Sequence, residues 1–357
     1  MNRIKNESIR RFAAILLLAS AMASRAHAQQ PAPPQQAPQP TSPAAPESSV
    51  NPPDQSQLEN YHLPRTPEDF STLTLDKSEL KTFPPIPLSH ATHDKFTFER
   101  VRVQWRELDP FELYILKPVG VEKPPVIVYL YGYPAGIDAF NNESWAERAT
   151  SGGYAAVGFV GALTKDRFQS RPMKQTFLSE LPESLGTTVH DVQMVLNYLQ
   201  TRGDLDMSNV GLLGNGSGAT VAILAAAADS RIKAVDALEP WGDWPNWVAK
   251  TINLAKGERE PMLTPEFLAK LAPLDPVKWL PKLTTQKVFL QFVDTEDALN
   301  QKAKADMEAA APKNVDVYHY PSKVQHMAAV VGGRRFEWLK GQLQPLGQVS
   351  TSSQAQK

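Results

Sequence analysis

Apolar and polar positions alternate over two stretches near residue 100, and a series of continuous apolar runs follows them. The alternating stretches, FTFERVRVQW from residue 96 and FELYILKP from residue 111, are typical of half-buried antiparallel strands. The next run, PPVIVYLYG from residue 124, predicts a central buried strand. Further buried strands are predicted at 154–161, 209–214, 232–240, 287–294 and 315–321.

Helical patterns separate these apolar runs. In TTVHDVQMVLNYLQTRG, an apolar stripe lies on one helical face and is formed by Val189, Val192, Leu196 and Leu199. Strands that alternate with helices predict an α/β protein with a mostly parallel central sheet and helices on both faces. The two alternating stretches predict an antiparallel edge to that sheet. The pattern MAAVVGGRRFEWLKGQL predicts one final amphipathic helix.

A long connection, residues 241–286, interrupts this alternation and contains several prolines. A connection of this length usually holds small helices or a cap over a site. We interpret Trp241, Trp244 and Trp247 as packing anchors where the connection docks on the sheet, although they could also line an apolar substrate pocket.

The beginning of the chain has the pattern of an export signal. Residues 1–28 start with basic residues, continue through the apolar run Phe12–Met22 and end on a small-x-small pattern, which predicts a cleaved signal peptide. The apolar run is shorter than the roughly 20 residues that span a bilayer. The protein is therefore expected to be exported, either to the periplasm or out of the cell, with no stable membrane anchor.

The rest of the chain divides by composition. Residues 29–56 are rich in Pro, Gln and Ser and predict a disordered spacer, and residues 346–357 predict a disordered tail. Residues 57–95 are then an N-terminal extension, and residues 96–345 form the folded domain.

Composition and charge narrow the classes of function. The chain has no cysteine, which excludes disulfides, thiolate zinc sites and a cysteine nucleophile. Removal of the signal segment takes away five basic residues and one acidic residue, so the formal net charge moves from −1 to −5. A nucleic-acid partner is not expected for such a chain. The sequence contains no pattern that indicates an oligomeric state.

The stretch VGLLGNGSGATVAILAAAAD combines a buried strand, a glycine-rich corner and an alanine-rich helix, as in a nucleophile elbow. With Gly216 at the tip, Gly214 and Gly218 occupy the positions two before and two after it, where small residues let strand and helix approach. With Ser217 at the tip, the position two before it is Asn215. The first register therefore fits better sterically, and it leaves Ser217 to cap the helix N-terminus.

The order of the remaining polar residues favours a working serine. Acyl transfer by a hydroxyl needs an imidazole base, a carboxylate that orients the base, and N–H donors for the oxyanion. The chain offers Ser217, then the acidic turn DTED after one predicted strand, then His326 after the next. Both registers of the elbow therefore stay open. No cofactor or metal is expected for this chemistry.

The corner GNGSGA, the turn YLYGYPAG, the turn DTED and the segment VQHM together resemble the α/β-hydrolase superfamily over residues 96–343. Within it they resemble the catalytic domain of the prolyl oligopeptidase and esterase branch. The resemblance implies an α/β-hydrolase fold. It also implies a serine hydrolase that cleaves an ester or peptide bond in a small-molecule substrate.

The resemblance also implies roles for individual residues. Ser217 is the nucleophile, His326 the base and Asp297 the orienting acid, because DTEDAL resembles the family turn G-x-x-D. Asp294 is the alternate acid. The oxyanion is held by Tyr133, through its hydroxyl or its N–H, and by the N–H of Gly218. If Gly216 occupies the tip instead, the protein keeps the fold without the usual nucleophile and acts as a binding or scaffold protein.

Overall fold

The structure, a computed structural model, describes residues 68–75, 80, 82–107, 109–133, 136–164, 167, 180–295 and 299–343. The predicted signal peptide, spacer and tail lie outside the described residues, as does Asp297. None of the helices in this part of the chain is both long and apolar enough to cross a membrane.

The described strands form one mixed sheet in the order β1-β2-β3-β5-β4-β6-β7-β8-β9. Their bounds are β1 Ile86–Thr92, β2 Phe96–Val103, β3 Phe111–Pro118, β4 Pro125–Leu130, β5 Ala155–Phe159, β6 Asp206–Asn215, β7 Ile232–Leu238, β8 Lys287–Val293 and β9 Val315–Tyr320. Strands β1 to β3 are antiparallel to their neighbours, and β3 is antiparallel to β5. All other neighbours are parallel. The predicted mostly parallel sheet with an antiparallel edge is confirmed.

The α-helices of the described residues lie between these strands and after the last one. They are α1 Glu143–Thr150, α2 Leu181–Arg202, α3 Ser217–Ala228, α4 Trp244–Lys250, α5 Lys256–Arg259, α6 Pro265–Leu271, α7 Pro276–Trp279, α8 Gln301–Ala310, α9 Lys323–Val331 and α10 Arg334–Gln342. Four short 3-10 turns accompany these helices. Asp138–Asn141 precedes α1, Glu260–Leu263 follows α5, Ala272–Leu274 follows α6, and Leu280–Lys282 follows α7. The long connection 241–286 therefore holds small helices, as its length predicts.

Strand β4 shows why the sheet is covered on both faces. All of its residues are buried, and successive side chains point to opposite faces. Val126 and Val128 pack in a core with α2 and α3, whereas Ile127 and Tyr129 pack with α1 and α10. A continuous apolar strand thus separates two cores, which together hold the sheet between layers of helices.

The antiparallel edge contains a strand that the sequence pattern does not reveal. β1 pairs with β2 from Ile86 opposite Arg102 to Thr92 opposite Thr97, although the predicted domain begins only at residue 96. Most β1 side chains are exposed, so the strand lacks an apolar signature. Leu73, still earlier in the chain, is buried in the core. The predicted extension therefore supplies part of the fold.

The end of the domain also differs from its prediction. The single final helix predicted from MAAVVGGRRFEWLKGQL is two helices, α9 and α10, because Gly333 adopts a φ of 79° that ends the first before the second begins. His326 lies in the first turn of α9 rather than in a loop before the final helix. The apolar spacing continues across the break, which hides it from a periodicity argument.

A buried ionic cluster ties the sheet edge to α2. The carboxylate of Asp191 accepts hydrogen bonds from Arg106, Arg167 and the indole N–H of Trp105, the last at 2.8 Å. Asp191 is fully buried, and Arg167 also donates to Asp109. Burial raises the pKa of Asp191, but Arg106 and Arg167 outweigh it and lower the pKa to about 2. The cluster fixes α2 behind the carboxyl edge of the sheet.

Candidate active site

The turn between β6 and α3 has its tip at Gly216. β6 ends at Asn215, Gly216 has φ 52° and ψ −120°, and α3 begins at Ser217. The N–H of Gly216 donates to the carbonyl of Leu238 at 2.9 Å, which fixes the turn against β7. A positive φ of this kind strains any residue with a Cβ. The structure thus places glycine where an elbow carries its nucleophile, and Ser217 one residue later.

Three glycines allow the backbones at the elbow to approach. A Cβ on Gly214 would lie 2.4 Å from the carbonyl oxygen of Gly218, and a Cβ on Gly218 would lie 2.1 Å from that of Leu130. A Cβ on Gly132 would lie 2.2 Å from the carbonyl oxygen of Asn215. These contacts are too short for any other residue, so the strand, the turn and the helix are matched around glycine.

The hydroxyl of Ser217 lies beside the predicted oxyanion donor. Ser217 is 3% exposed, and its Oγ accepts a hydrogen bond from the backbone N–H of Tyr133 at 2.9 Å. Ser217 and Gly218 also line a small cavity of about 10 Å³, together with Leu130 and Thr188. A space of this size holds about one water molecule. In this structure, therefore, the partner of the hydroxyl is Tyr133, not the His326 ring.

The predicted base, His326, lies on α9, the helix that follows the edge strand β9. Its ring packs edge-on against Tyr320, with 5.1 Å between the ring centroids. Its backbone N–H donates to Ser322, the capping residue of α9. His326 is partly buried as a residue, and Nε2 of its ring is a buried atom. The structure does not bring its ring into hydrogen-bond contact with the Ser217 hydroxyl.

The alternate acid, Asp294, is bonded to a different histidine. Its carboxylate lies 2.8 Å from Nδ1 of His319, whose Nε2 lies 3.2 Å from Glu308. Partial burial lowers the pKa of His319, but the hydrogen bonds to Asp294 and then Glu308 outweigh it and raise the pKa. Sequence reasoning missed this pairing, because the register that sets β8 beside β9 is a long-range property. The predicted acid Asp297 lies outside the described residues.

A chain of buried polar side chains lies behind His326. The hydroxyl of Tyr320 donates to Oε1 of Gln291 at 2.7 Å, and Nε2 of Gln291 donates to Asp236 at 2.6 Å. Asp236 and Gln291 are fully buried, and Tyr320 is 2% exposed. The three residues lie on the neighbouring strands β7, β8 and β9 and support the ring against which His326 packs. The sequence offered no signal for them beyond polar letters within apolar runs.

A buried ion pair lies at the ends of β7 and β8. Glu239 has a φ of 50°, which is unusual for a residue with a Cβ. Its Oε1 accepts from the N–H of Val293 and lies 3.6 Å from Nζ of Lys304, which is 1% exposed. Lys304 also donates to the carbonyl of Val293. This pair joins α8 to the strand ends that surround the elbow.

The tryptophans of the long connection pack as predicted. Trp241, Trp244 and Trp247 are each at most 3% exposed, and the rings of Trp241 and Trp247 pack at a tilt of 32° with centroids 4.7 Å apart. A larger groove of about 520 Å³ lies among the cap helices beside Trp244, Leu268 and other residues, and none of the predicted site residues lines it.

The described part of the candidate site consists of backbone and side-chain hydrogen-bonding groups. Among the residues that the structure describes, no group of three or more His, Asp or Glu side chains is arranged to hold a metal ion. What the carboxyl edge brings together is a glycine-tipped elbow, a serine hydroxyl, backbone N–H groups at a helix N-terminus, and a histidine on α9.

Comparisons with known proteins agree with this architecture. Residues 111–264, less than half of the chain, match the dienelactone hydrolase family. A search of curated protein sequences gave no match.

Solved structures with the same fold include several hydrolases. The acetyl xylan esterase from Paenibacillus sp. R4 superposes with a TM-score of 0.57 at 14% identity, over 81% of this chain and 100% of that one. An S-formylglutathione hydrolase from Agrobacterium tumefaciens gives a TM-score of 0.53 at 11% identity, over 72% and 100%. An acylaminoacyl peptidase from Pyrococcus horikoshii gives 0.52 at 15% identity, over 77% of this chain and 44% of that one. The chain is therefore an α/β-hydrolase-fold protein whose central region is similar to the dienelactone hydrolase family.

Proposed function

We propose that this protein hydrolyses an ester or amide bond in a small molecule, with Ser217 as the nucleophile, His326 as the base and Asp297 as the orienting acid. The observation that carries the proposal is the Ser217 hydroxyl, 2.9 Å from the Tyr133 N–H at the carboxyl end of the central strands. A hydroxyl and an oxyanion donor within one hydrogen bond of each other are two of the parts that acyl transfer needs. The match to the dienelactone hydrolase family supports the same class of reaction.

The reaction requires the Ser217 hydroxyl to leave the Tyr133 N–H. The hydroxyl then gives its proton to His326 while Oγ bonds to the substrate carbonyl carbon, and the carbonyl electrons move to oxygen. The freed N–H of Tyr133 and the N–H of Gly218 stabilise that oxygen. The leaving group departs with the proton from His326. Water then attacks the acyl-enzyme and gives a proton to His326, and Oγ of Ser217 leaves and takes that proton back as the acid product is released.

A second candidate function is ligand binding without turnover. The observation that favours it is Gly216 at the tip, because the residue that normally carries the nucleophile has no side chain. A fold can be kept after its chemistry is lost.

An activated-serine probe separates the two candidates. We expect a fluorophosphonate to label the wild-type protein and Ser208→Ala equally, and to leave Ser217→Ala unlabelled. Ser208 is a matched control, since it lies on β6 and its hydroxyl donates to Asp206 at the opposite end of the strand. Absence of labelling in the wild type, together with no release of p-nitrophenol from short-chain esters, would favour binding without turnover.

We also propose that the protein is exported and that cleavage follows Ala28. The support is the sequence pattern of residues 1–28. Mass spectrometry of the protein purified from the expressing cells should give a mature mass that begins at Gln29. An intact Met1 to Ala28 segment would contradict export by this route.

A further inference from the structure

Tyr320, the last residue of β9, borders both elements that carry the proposed partners of Ser217. Its ring packs edge-on against the ring of His326, with 5.1 Å between the centroids and 68° between the planes. Its backbone carbonyl accepts from the N–H of Asp294 at 2.9 Å, at the start of the DTED turn. One residue thus contacts the proposed base and the first residue of the turn that contains the proposed acid.

The hydroxyl of Tyr320 is anchored inside the protein. It donates to Oε1 of Gln291 at 2.7 Å, and Nε2 of Gln291 donates to Asp236 at 2.6 Å. Gln291 and Asp236 are fully buried, and Tyr320 is 2% exposed. Because the hydroxyl and the backbone of Tyr320 are both fixed, its ring cannot swing away from His326 without breaking a buried hydrogen bond.

The same part of the sheet also holds the elbow. Tyr320 forms a small buried cluster with Leu238 and Val293, the last residues of β7 and β8, and Ala329 of α9 packs against it. The carbonyl of Leu238 accepts from the N–H of Gly216 at 2.9 Å, which fixes the tip of the elbow. The elbow, the DTED turn and α9 are therefore attached to one cluster at the carboxyl ends of three neighbouring strands.

The connection from β9 to α9 keeps His326 close to this cluster. Only Pro321 and Ser322 separate the strand from the helix, and the N–H of His326 donates to the carbonyl of Ser322 at 3.0 Å. The imidazole therefore lies in the first turn of α9, where the Tyr320 ring packs against it. The orientation of an imidazole base decides whether its nitrogen can reach the proton that it removes.

We propose that Tyr320 is a positioning residue for the hydrolysis: its ring sets the orientation of the His326 side chain relative to the DTED turn. The role rests on the proposed function, because it requires His326 to act as the base. Tyr320 acts on the rate through His326 rather than through contact with the substrate. A displacement of a reacting group by about 1 Å can cost roughly a hundredfold in rate, so the effect should be visible in kcat.

Hydrolysis of p-nitrophenyl acetate by the full-length protein tests this role. Tyr320→Leu removes the ring and should lower kcat about ten- to hundredfold while KM changes less than about twofold. Tyr320→Phe keeps the ring but releases it from Gln291, so its kcat should lie between those of Tyr320→Leu and the wild type. An unchanged kcat in Tyr320→Leu, or a loss confined to KM, would overturn the role.

Tyr154 provides matched control variants. It is 6% exposed, and its hydroxyl donates to the carbonyl of Lys340 at 2.6 Å, so its replacement removes a comparable ring and hydrogen bond. It packs in the core that contains residues of α1 and α10. Tyr154→Leu and Tyr320→Leu should lose similar stability in urea, but Tyr154→Leu should keep the kcat of the wild type. An equal fall of kcat in both variants would assign the effect to general loss of packing and refute the role.

NMR of the His326 ring protons, assigned with His326→Gln, separates this role from the proposed function. Tyr320→Leu removes the ring current of the tyrosine, so the His326 resonances should shift, whereas Tyr154→Leu should leave them in place. Unmoved resonances in Tyr320→Leu would overturn the role even if the wild type hydrolyses esters. A wild type that hydrolyses no ester would instead remove the proposed function, and this role with it, whether or not the resonances shift.

Discussion

The backbone N–H of Tyr133 donates to the hydroxyl oxygen of Ser217 at 2.9 Å, although the two residues are 84 positions apart in the chain. The bond joins the segment after β4 to the first residue of α3. It gives the backbone N–H of Tyr133 an acceptor on a different element of the fold. The Ser217 hydroxyl therefore has a structural partner whether or not it also acts as a nucleophile.

The first prediction concerns the stability that this bond provides. Ser217→Ala removes the acceptor and leaves the Tyr133 N–H without it, so the free energy of unfolding should fall by about 1 to 3 kcal/mol. Urea denaturation measures the change. Ser208→Ala, which removes a bond at an exposed position, should cost less. An equal loss in both variants would show that the Tyr133 bond does not contribute more than a surface one.

The second prediction concerns the elbow glycines. Gly218→Ala places a Cβ 2.1 Å from the carbonyl oxygen of Leu130, so the backbone must move and the protein should lose at least about 1 to 3 kcal/mol of stability. Gly341→Ala is the matched control in α10, where a Cβ meets nothing within 4 Å. It should stabilise the protein by up to about 1 kcal/mol, because alanine favours the helix. Thermal denaturation of the two variants should give melting temperatures that move in opposite directions.

The third prediction concerns acid stability. Because the folded-state pKa of Asp191 is lowered from 3.8 to about 2, its charge stabilises the folded state fully above about pH 4, and this contribution is lost as the pH falls through about 2. The contribution is about 2 kcal/mol. Asp191→Asn should be less stable at neutral pH, since it leaves Arg106 and Arg167 without their shared carboxylate. Its free energy of unfolding should also fall less between pH 4 and pH 2; parallel pH curves for both proteins would contradict this account.

The fourth prediction concerns the pair that sequence reasoning missed. The raised pKa of His319 means that its charge stabilises the folded state below the unfolded value of about 6.5, and that this effect is lost as the pH rises through the folded pKa. Asp294→Asn should lower the pKa of His319 in an NMR titration of the ring protons. Asp316 lies on β9 like His319, but its carboxylate accepts from Trp338. Asp316→Asn should therefore leave the pKa of His319 unchanged. A His319 pKa that does not respond to Asp294→Asn would show that the 2.8 Å contact is not formed in solution.

The strands of the parallel half of the sheet could be predicted because each is a continuous apolar run, and buried parallel strands require such runs. The apolar stripe predicted on α2 is also confirmed, because its four residues are fully buried: Val189, Val192, Leu196 and Leu199. β1 could not be found, because an exposed edge strand such as IPLSHAT has no apolar pattern to read. The separation of α9 from α10 depends on the φ of Gly333, which the apolar spacing does not encode.

The parts of the site differ in the same way. The close approach of β6 and α3 at the elbow could be predicted from the sequence, because Gly214 and Gly218 have the spacing that such an approach requires. The partner of Asp294 could not be predicted from the sequence, because it depends on the register of β8 against β9. In that register Phe292 lies opposite His319.

The polar chain formed by Asp236, Gln291 and Tyr320 has a consequence for how the sheet assembles. Parallel strands made of apolar residues can slide past one another with little change in burial, because one aliphatic side chain replaces another. A slip of β8 by two residues would keep its faces but separate Gln291 from both partners, which would break two hydrogen bonds in a dry interior. The hydrogen bonds among the three side chains thus favour one register of β7, β8 and β9. That register determines where the loop after each strand begins at the carboxyl edge.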